Sequence, residues 1–383
     1  MIQIINPEEC CGCSACKSVC PKQAVSMEPD ALGFLFPKVD LDRCVDCGLC
    51  EKVCAFNDCY DVSQNLLEPK AFGARHKDME EVKSSRSGAA FIALSDWVLA
   101  NGGVVYGAGY KDHFRVAHKR ASTKEERDEF KGSKYVQSDM GDVYLQVKSD
   151  LENDLLVLFS GTACQVAGLK SFIGKKYRKN LYLVDIVCHG APSPYIWRDY
   201  LNYMEKKRGA NVIAVNFRDK NEFGWRAHKE SLKFNDGIKY SYIYSYIFHQ
   251  HIMFRHSCGV CHFTNLKRPG DITIADFWGW EKSNPEFNAD DKGCSLILCN
   301  TEKGDKWFNV CKKDFDWFPV AIEDCLQPNL QKPTLINEKR MRFERDYQKW
   351  GFRYVLFLYG NVGPIYMARK IWMKVERMLR KLV

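Results

Sequence analysis

The chain has 383 residues, 46% hydrophobic and 27% charged, with a formal charge of +8 and eighteen cysteines. That balance excludes wholesale disorder and leaves ample length to bury a core without cross-links. No apolar run is long enough to span a membrane, and the first residues lack the basic-then-apolar order of a secretory signal, so the expected location is cytoplasmic and the cysteines point to metal or redox chemistry.

Ten of the cysteines fall in the first 59 residues, and eight of them repeat one spacing. Cys10, Cys13, Cys16 and Cys20-Pro21 are followed by Cys44, Cys47, Cys50 and Cys54. Three closely spaced thiolates and a fourth three residues on are the ligand run of [4Fe–4S] clusters in bacterial two-cluster ferredoxins, where the fourth cysteine serves the other cluster. The spacing therefore assigns Cys10, Cys13, Cys16 and Cys54 to a first cluster, and Cys44, Cys47, Cys50 and Cys20 to a second. Zinc ribbons also use Cys-x2-Cys pairs, but they take two pairs per metal. Ala55 replaces the proline that usually follows the fourth cysteine, and removes no ligand. Cys11 and Cys59 lie outside the pattern and are read as spectators, with Cys11 placed to protect or perturb the first cluster. Between the runs, residues 24–28 and 33–37 read as a hairpin turning at Pro29 and Asp30.

The fold expected is α+β: a small dicluster ferredoxin domain over 1–60, a polar, proline-containing linker over 61–70, and a larger mixed α/β body. The body divides into a first part over 71–150, a second part over 151–330 and a helical tail over 331–383. A helix is expected from Arg86, and paired strands at 103–110 and 115–120. Residues 155–161 form an apolar strand that runs into a helix at Thr162. Further strands are expected at 181–187, 211–217, 227–234 and 271–277, with a helix over 194–207.

Four more cysteines stand near the ends of these elements: Cys164, Cys188, Cys258 and Cys261. They could converge on a third cluster. Cys164 and Cys188 could equally be small buried hydrophobes, or Cys258 and Cys261 could hold zinc with His249, His251, His256 or His262.

At these residues the chain resembles the beta subunits of coenzyme F-420 hydrogenases and dehydrogenases, in the subgroup with an N-terminal two-cluster ferredoxin domain. The resemblance runs from Cys10 to about Gly279. It rests on both ferredoxin runs, Ser87-Gly88, Gly103-Val-Val-Tyr-Gly, Lys131-Gly-Ser-Lys-Tyr-Val-Gln-Ser, Gly161-Thr-Ala-Cys-Gln, Val187-Cys-His-Gly-Ala-Pro, Phe217-Arg-Asp-Lys and Gly270-Asp-Ile-Thr-Ile-Ala-Asp-Phe-Trp-Gly. Ala89 and Ala163 depart from it, where glycine and proline are usual. The resemblance implies a non-covalent FAD and favours the third cluster at Cys164, Cys188, Cys258 and Cys261. It directs attention to Ser87 and Gly88, as free amides at a helix start for the flavin pyrophosphate. It also points to Lys131, Gly132, Ser133, Lys134, Tyr135 and Gln137 as a loop able to bind phosphate or flavin. Arg218 and Lys220 would face an anionic substrate or form surface ion pairs, and His189 would be a proton carrier, a hydrogen-bond donor or a packed histidine.

Residues 364–383 read as an amphipathic helix, with six basic residues against Glu376. Packing on the body or a partner is favoured over peripheral attachment to an anionic membrane. Three oxidised clusters with their thiolates would bring the formal charge close to neutral, so the basicity is local and nucleic acid is not an expected partner. The function expected is an iron–sulfur flavoprotein oxidoreductase passing electrons between a ferredoxin-like partner and FAD, with reduction or oxidation of a deazaflavin-type or other small organic substrate. The alternative is an electron-transfer subunit without a substrate, feeding a separate catalytic partner such as a hydrogenase or dehydrogenase subunit.

Overall fold

The structure, a computed structural model, describes residues 1–56 and 60–363. Cys59 and the amphipathic helix expected over 364–383 lie outside the described residues.

The N-terminal domain carries a hairpin of β1 (Val25–Pro29) and β2 (Leu35–Val39), antiparallel with Val25 opposite Val39. The Asp30 carboxylate closes the turn by accepting the amides of Leu32 and Phe34 at 2.9 and 2.8 Å, the usual role of an aspartate in a tight turn. Each cysteine run enters a short helix, Ala15–Val19 or Leu49–Lys52.

The next strand corrects the expected linker. β3 spans Asn65–His76, so the second half of residues 61–70 is already strand. The misleading signal is Pro69, which cannot donate to a ladder. It lies between Asn65 and Lys70, where the pairing with β12 shifts register, and before the pairing with β13 begins at Ala71.

The body is built on one eight-stranded sheet. Its other strands are β4 (Val104–Lys111), β5 (Arg115–Ala121), β6 (Val157–Thr162), β7 (Leu181–Ile186), β11 (Ile272–Asp276), β12 (Ser295–Thr301) and β13 (Phe315–Val320). The intervening β8 (Val212–Asn216), β9 (Glu230–Phe234) and β10 (Gly237–Ser241) form a separate antiparallel sheet. The large sheet runs β13-β3-β12-β11-β7-β6-β4-β5, with β4, β6, β7 and β11 parallel. Both parts of the expected body thus share it, since β4 from the first pairs with β6 from the second.

Alternation along the strands feeds two faces. Tyr106, Phe159 and Leu183 join a core with the helices Val143–Glu152 and Ala163–Ile173, and that core continues into Cys13, Cys16 and Phe56 of the N-terminal domain. Val105, Leu158 and Val184 face the helices Ala90–Ala100 and Glu302–Cys311. The first of these helices starts at Ala90 and not Arg86, because Ala89 is left-handed at φ 61°. A third core packs the helices Pro194–Arg208 and Arg340–Tyr359 together through Trp197, Tyr200, Phe343 and Val355. Among the described residues, no helix is long and apolar enough to cross a membrane.

Candidate functional site

The N-terminal cysteines separate into the two expected sets. A cavity of about 370 Å³ is lined by Cys20, Cys44, Cys47 and Cys50, with Gly48 among its walls. Backbone amides address three of these sulfurs: Ala24 to Cys20 at 3.3 Å, Asp46 to Cys44 at 3.4 Å and Ile2 to Cys50 at 3.1 Å. Such N–H···S bonds stabilise thiolate charge and are one means of tuning a cluster. Around Cys16 stand the other four-cysteine set: burial pushes its thiol up, and the neighbouring Cys13, Cys10 and Cys54 add to the shift. Gly12, at φ +71°, donates its amide to the Cys10 sulfur at 3.4 Å. Cys20 therefore sits with the second run and Cys54 with the first.

The four later cysteines also come together, from separate elements. Cys164 begins the helix after β6, Cys188 follows β7, and Cys258 and Cys261 flank one tight turn. Burial pushes the Cys188 thiol up to about 12 and Cys261 to about 11, and Cys164 adds to both shifts. Cys258 is raised by burial, then by Cys188, Cys261 and Cys164. The Ala191 amide bonds the Cys258 sulfur at 3.2 Å, and the Thr162 hydroxyl lies 3.2 Å from the Cys164 sulfur. The histidines considered for zinc are engaged otherwise: His251 with His189 at 2.8 Å, His256 with Glu344 at 3.7 Å, and His262 against the Phe56 ring. Among the described residues, no three His, Cys, Asp or Glu side chains converge tightly enough for one bare ion. Four thiolates spread around a cubane stand further apart than ligands on a single ion.

A cleft of about 660 Å³ opens beside the sheet, and six cations line it: Lys83, Arg86, Lys131, Lys134, Arg218 and Lys220. Among the described residues, no acidic side chain lines it. Lys134 and Lys220 are buried, which pushes each down to about 7. Lys134 donates to the Glu129 and Lys131 carbonyls, and Lys220 to those of Val82, Ser87 and Lys292. Burial also pushes Arg86 down to about 10. Its terminal nitrogens bond the Arg218 and Trp225 carbonyls, while its Nε has no hydrogen-bond partner. Ser85 Oγ is likewise buried and unpaired. Arg218 bonds Asp276 at 2.5 Å; although burial works against it, Arg218 and Arg86 hold that carboxyl below its ordinary value. An excess of positive charge with two unsatisfied polar atoms fits a phosphate-bearing ligand.

The expected flavin residues divide. Lys131, Gly132, Ser133 and Lys134 line the cleft, and Tyr135 Oη lies 3.3 Å from Arg218. Gln137 belongs elsewhere: its side chain donates to the Cys11 carbonyl at 2.9 Å and accepts from Arg255. Ser87 donates to the Cys294 carbonyl at 2.7 Å, and Gly88 is pressed against the Ala74 carbonyl with no room for a Cβ. Neither opens the helix; Ser84, Ser85 and Arg86 provide that wall. Arg86 stands next to the expected pair, but no motif distinguishes it, and no sequence signal ties Lys83 to Lys220. Arg218 does both things expected of it, pairing with an acid and lining the cleft. His189 bonds Asn329 at 3.1 Å as well as His251, and burial pushes it down to about 4.

Residues 154–316 match the family model for the C-terminal part of the beta subunit of coenzyme F420 hydrogenase/dehydrogenase. Residues 9–57 match the 4Fe-4S dicluster domain. A chain from a xenon-derivatised structure of the F420-reducing [NiFe] hydrogenase complex of Methanosarcina barkeri is similar at 16% identity, with a TM-score of 0.48, covering 75% of this chain and 90% of that one. None of the curated proteins matches.

Proposed function

We propose, for a chain that belongs to the coenzyme F420 hydrogenase/dehydrogenase beta-subunit family and carries a 4Fe–4S dicluster domain, that it is an iron–sulfur flavoprotein oxidoreductase. It exchanges single electrons with a ferredoxin-like partner or a partner subunit and acts on a small organic substrate, such as a deazaflavin. The observation that carries this beyond the dicluster domain is the acid-free cationic cleft with its unpaired Ser85 Oγ and Arg86 Nε.

Cys10, Cys13, Cys16 and Cys54 would hold one cluster, Cys20, Cys44, Cys47 and Cys50 a second, and Cys164, Cys188, Cys258 and Cys261 a third. Lys131, Gly132, Ser133 and Lys134 would hold the FAD phosphates together with Ser85 and Arg86. When bound, the clusters supply one-electron transfer and the flavin exchanges single electrons for hydride chemistry. The protein's part is positional. The amides of Gly12, Ala24, Asp46 and Ile2 stabilise thiolate charge, the Arg218–Asp276 pair fixes one cleft wall, and Lys134 and Lys220 can gain or lose a proton at Nζ near neutral pH.

The test is anaerobic purification with iron, sulfide and flavin analysis, followed by assay with reduced ferredoxin. About twelve irons per chain, one FAD and turnover of a deazaflavin or another small acceptor are expected. Full iron and FAD without turnover, but with electron delivery to a hydrogenase or dehydrogenase subunit, would favour a pure electron-transfer subunit. Absence of flavin after reconstitution with excess FAD would overturn the proposal.

A further inference from the structure

The eight paired ferredoxin cysteines leave Cys11 without a place in either run, yet it is among the more deeply buried residues of the N-terminal domain, at 6% exposure. Its backbone is fixed from the body, where the Gln137 side chain donates to the Cys11 carbonyl at 2.9 Å. Gln137 is itself held by Arg255, three residues before Cys258, and Arg255 also donates to the carbonyls of Cys10 at 2.6 Å and Leu35 at 2.9 Å. The loop bearing the first-cluster cysteines is thus pinned to the segment bearing two of the later ones.

The other side of this contact is the helix Ala163–Ile173. A Cβ on Gly168 would stand 2.8 Å from the Cys13 sulfur, so only glycine lets that ligand lie against the helix. Between the two sits the Cys11 thiol, hydrogen-bonded to the sulfur of Cys13 on one side and of Cys164 on the other. Three sulfurs form an unbroken line from the N-terminal domain to the body, and the middle one has no metal to bind in either cysteine set.

We propose that Cys11 is a positioning residue whose single S–H proton is shared between the Cys13 and Cys164 sulfurs, so that one hydrogen-bond donor sets the reduction potentials of the first and third clusters together. The inference rests on the ligand assignment proposed above. Its physical basis is that a donor to a ligand sulfur stabilises the more negative, reduced cluster and raises its potential. Because donor and both acceptors are buried, water cannot replace the bond when it is lost. The second cluster, around Cys20, Cys44, Cys47 and Cys50, is not among the Cys11 partners and serves as an internal reference.

The test is spectroelectrochemical titration followed by electron paramagnetic resonance on the full chain, comparing wild type, Cys11→Ala and Cys11→Ser. In Cys11→Ala, two of the three cluster potentials should move lower while the third stays; Cys11→Ser, which keeps a donor, should recover part of the shift. Unchanged potentials in Cys11→Ala with full iron and sulfide content would overturn the inference, as would a shift confined to one cluster. Should Cys11→Ala lose iron, Cys11→Ser decides: displacement of the same two potentials supports the proposal, and wild-type values for all three overturn it. A wild-type protein with only two clusters would remove the Cys164 partner, and would bring down the ligand assignment as well as this inference.

Discussion

The guanidinium of Arg255 donates from Nε to the backbone carbonyl of Cys10 at 2.6 Å, a bond that spans 245 positions of sequence. Arg255 is almost wholly buried, lies over the Phe36 ring at 4.1 Å, and makes its remaining bonds to Leu35 and Gln137. A planar fork with several donors can serve three acceptors at once, and a lysine cannot. Arg255→Lys should therefore cost about 3 kcal/mol and loosen the N-terminal domain before the body melts. Calorimetry and limited proteolysis around residues 60–64 would read this; a single unshifted transition would refute it.

Gly168→Ala should act on the same junction from the other side. The added methyl would meet the Cys13 sulfur at 2.8 Å and the Tyr144 hydroxyl at 3.0 Å. Overpacking of this kind costs about 1–3 kcal/mol. The expected result is a lower melting temperature with a changed resonance signal from one cluster only, whereas an unperturbed set of signals would mean that Cys13 does not lie against this helix.

Cys47 is the exposed member of its set. Cys47→Ser should cost about four irons per chain and leave the clusters bound to the buried cysteines intact. Iron analysis with resonance spectroscopy separates this from collapse of the whole domain, in which about eight irons would be lost.

The cleft lysines give flavin binding a direction in pH. Lys134 and Lys220 are held near 7 by burial, and a phosphate beside them would favour their charged forms and raise both values. Above pH 7, binding then takes up protons, so affinity falls as pH rises, by up to about tenfold per pH unit for each lysine that contacts phosphate. Below pH 7 both are already charged and affinity should level off. Fluorescence titration of FAD from pH 6 to 9 would show the slope; a flat profile would remove both lysines from the phosphate site. Arg86→Gln should weaken FAD binding at every pH, since that guanidinium stays charged throughout.

The two ferredoxin sets are legible because each draws most of its ligands from one loop, where spacing alone fixes geometry. Cys164, Cys188, Cys258 and Cys261 are harder, since their approach depends on β6 and β7 ending side by side in a parallel sheet. The stretch from Lys131 to Gln137 reads as one loop, but its two ends serve different places, the cleft and the N-terminal domain. No local pattern encodes that division. The cleft itself gathers residues 83–86, 131–134 and 215–221, and only the tertiary fold makes them neighbours. Residues 65–70 look like a linker because polar composition and Pro69 outweigh a strand signal that comes from pairing partners more than two hundred residues away. Ala89 shows the converse: the glycine usual there suits the left-handed backbone that this alanine adopts at φ 61°.

That same strand limits how the iron–sulfur head can behave. A carrier domain on a long tether can shuttle between docking stations, and its turnover then slows in a viscous medium. Here only about five residues separate Cys59 from Asn65, and from there the chain is clamped between β12 and β13. Internal transfer should thus be indifferent to added sucrose or glycerol at matched driving force. A graft of the head onto another protein would have to bring a sheet strand with it.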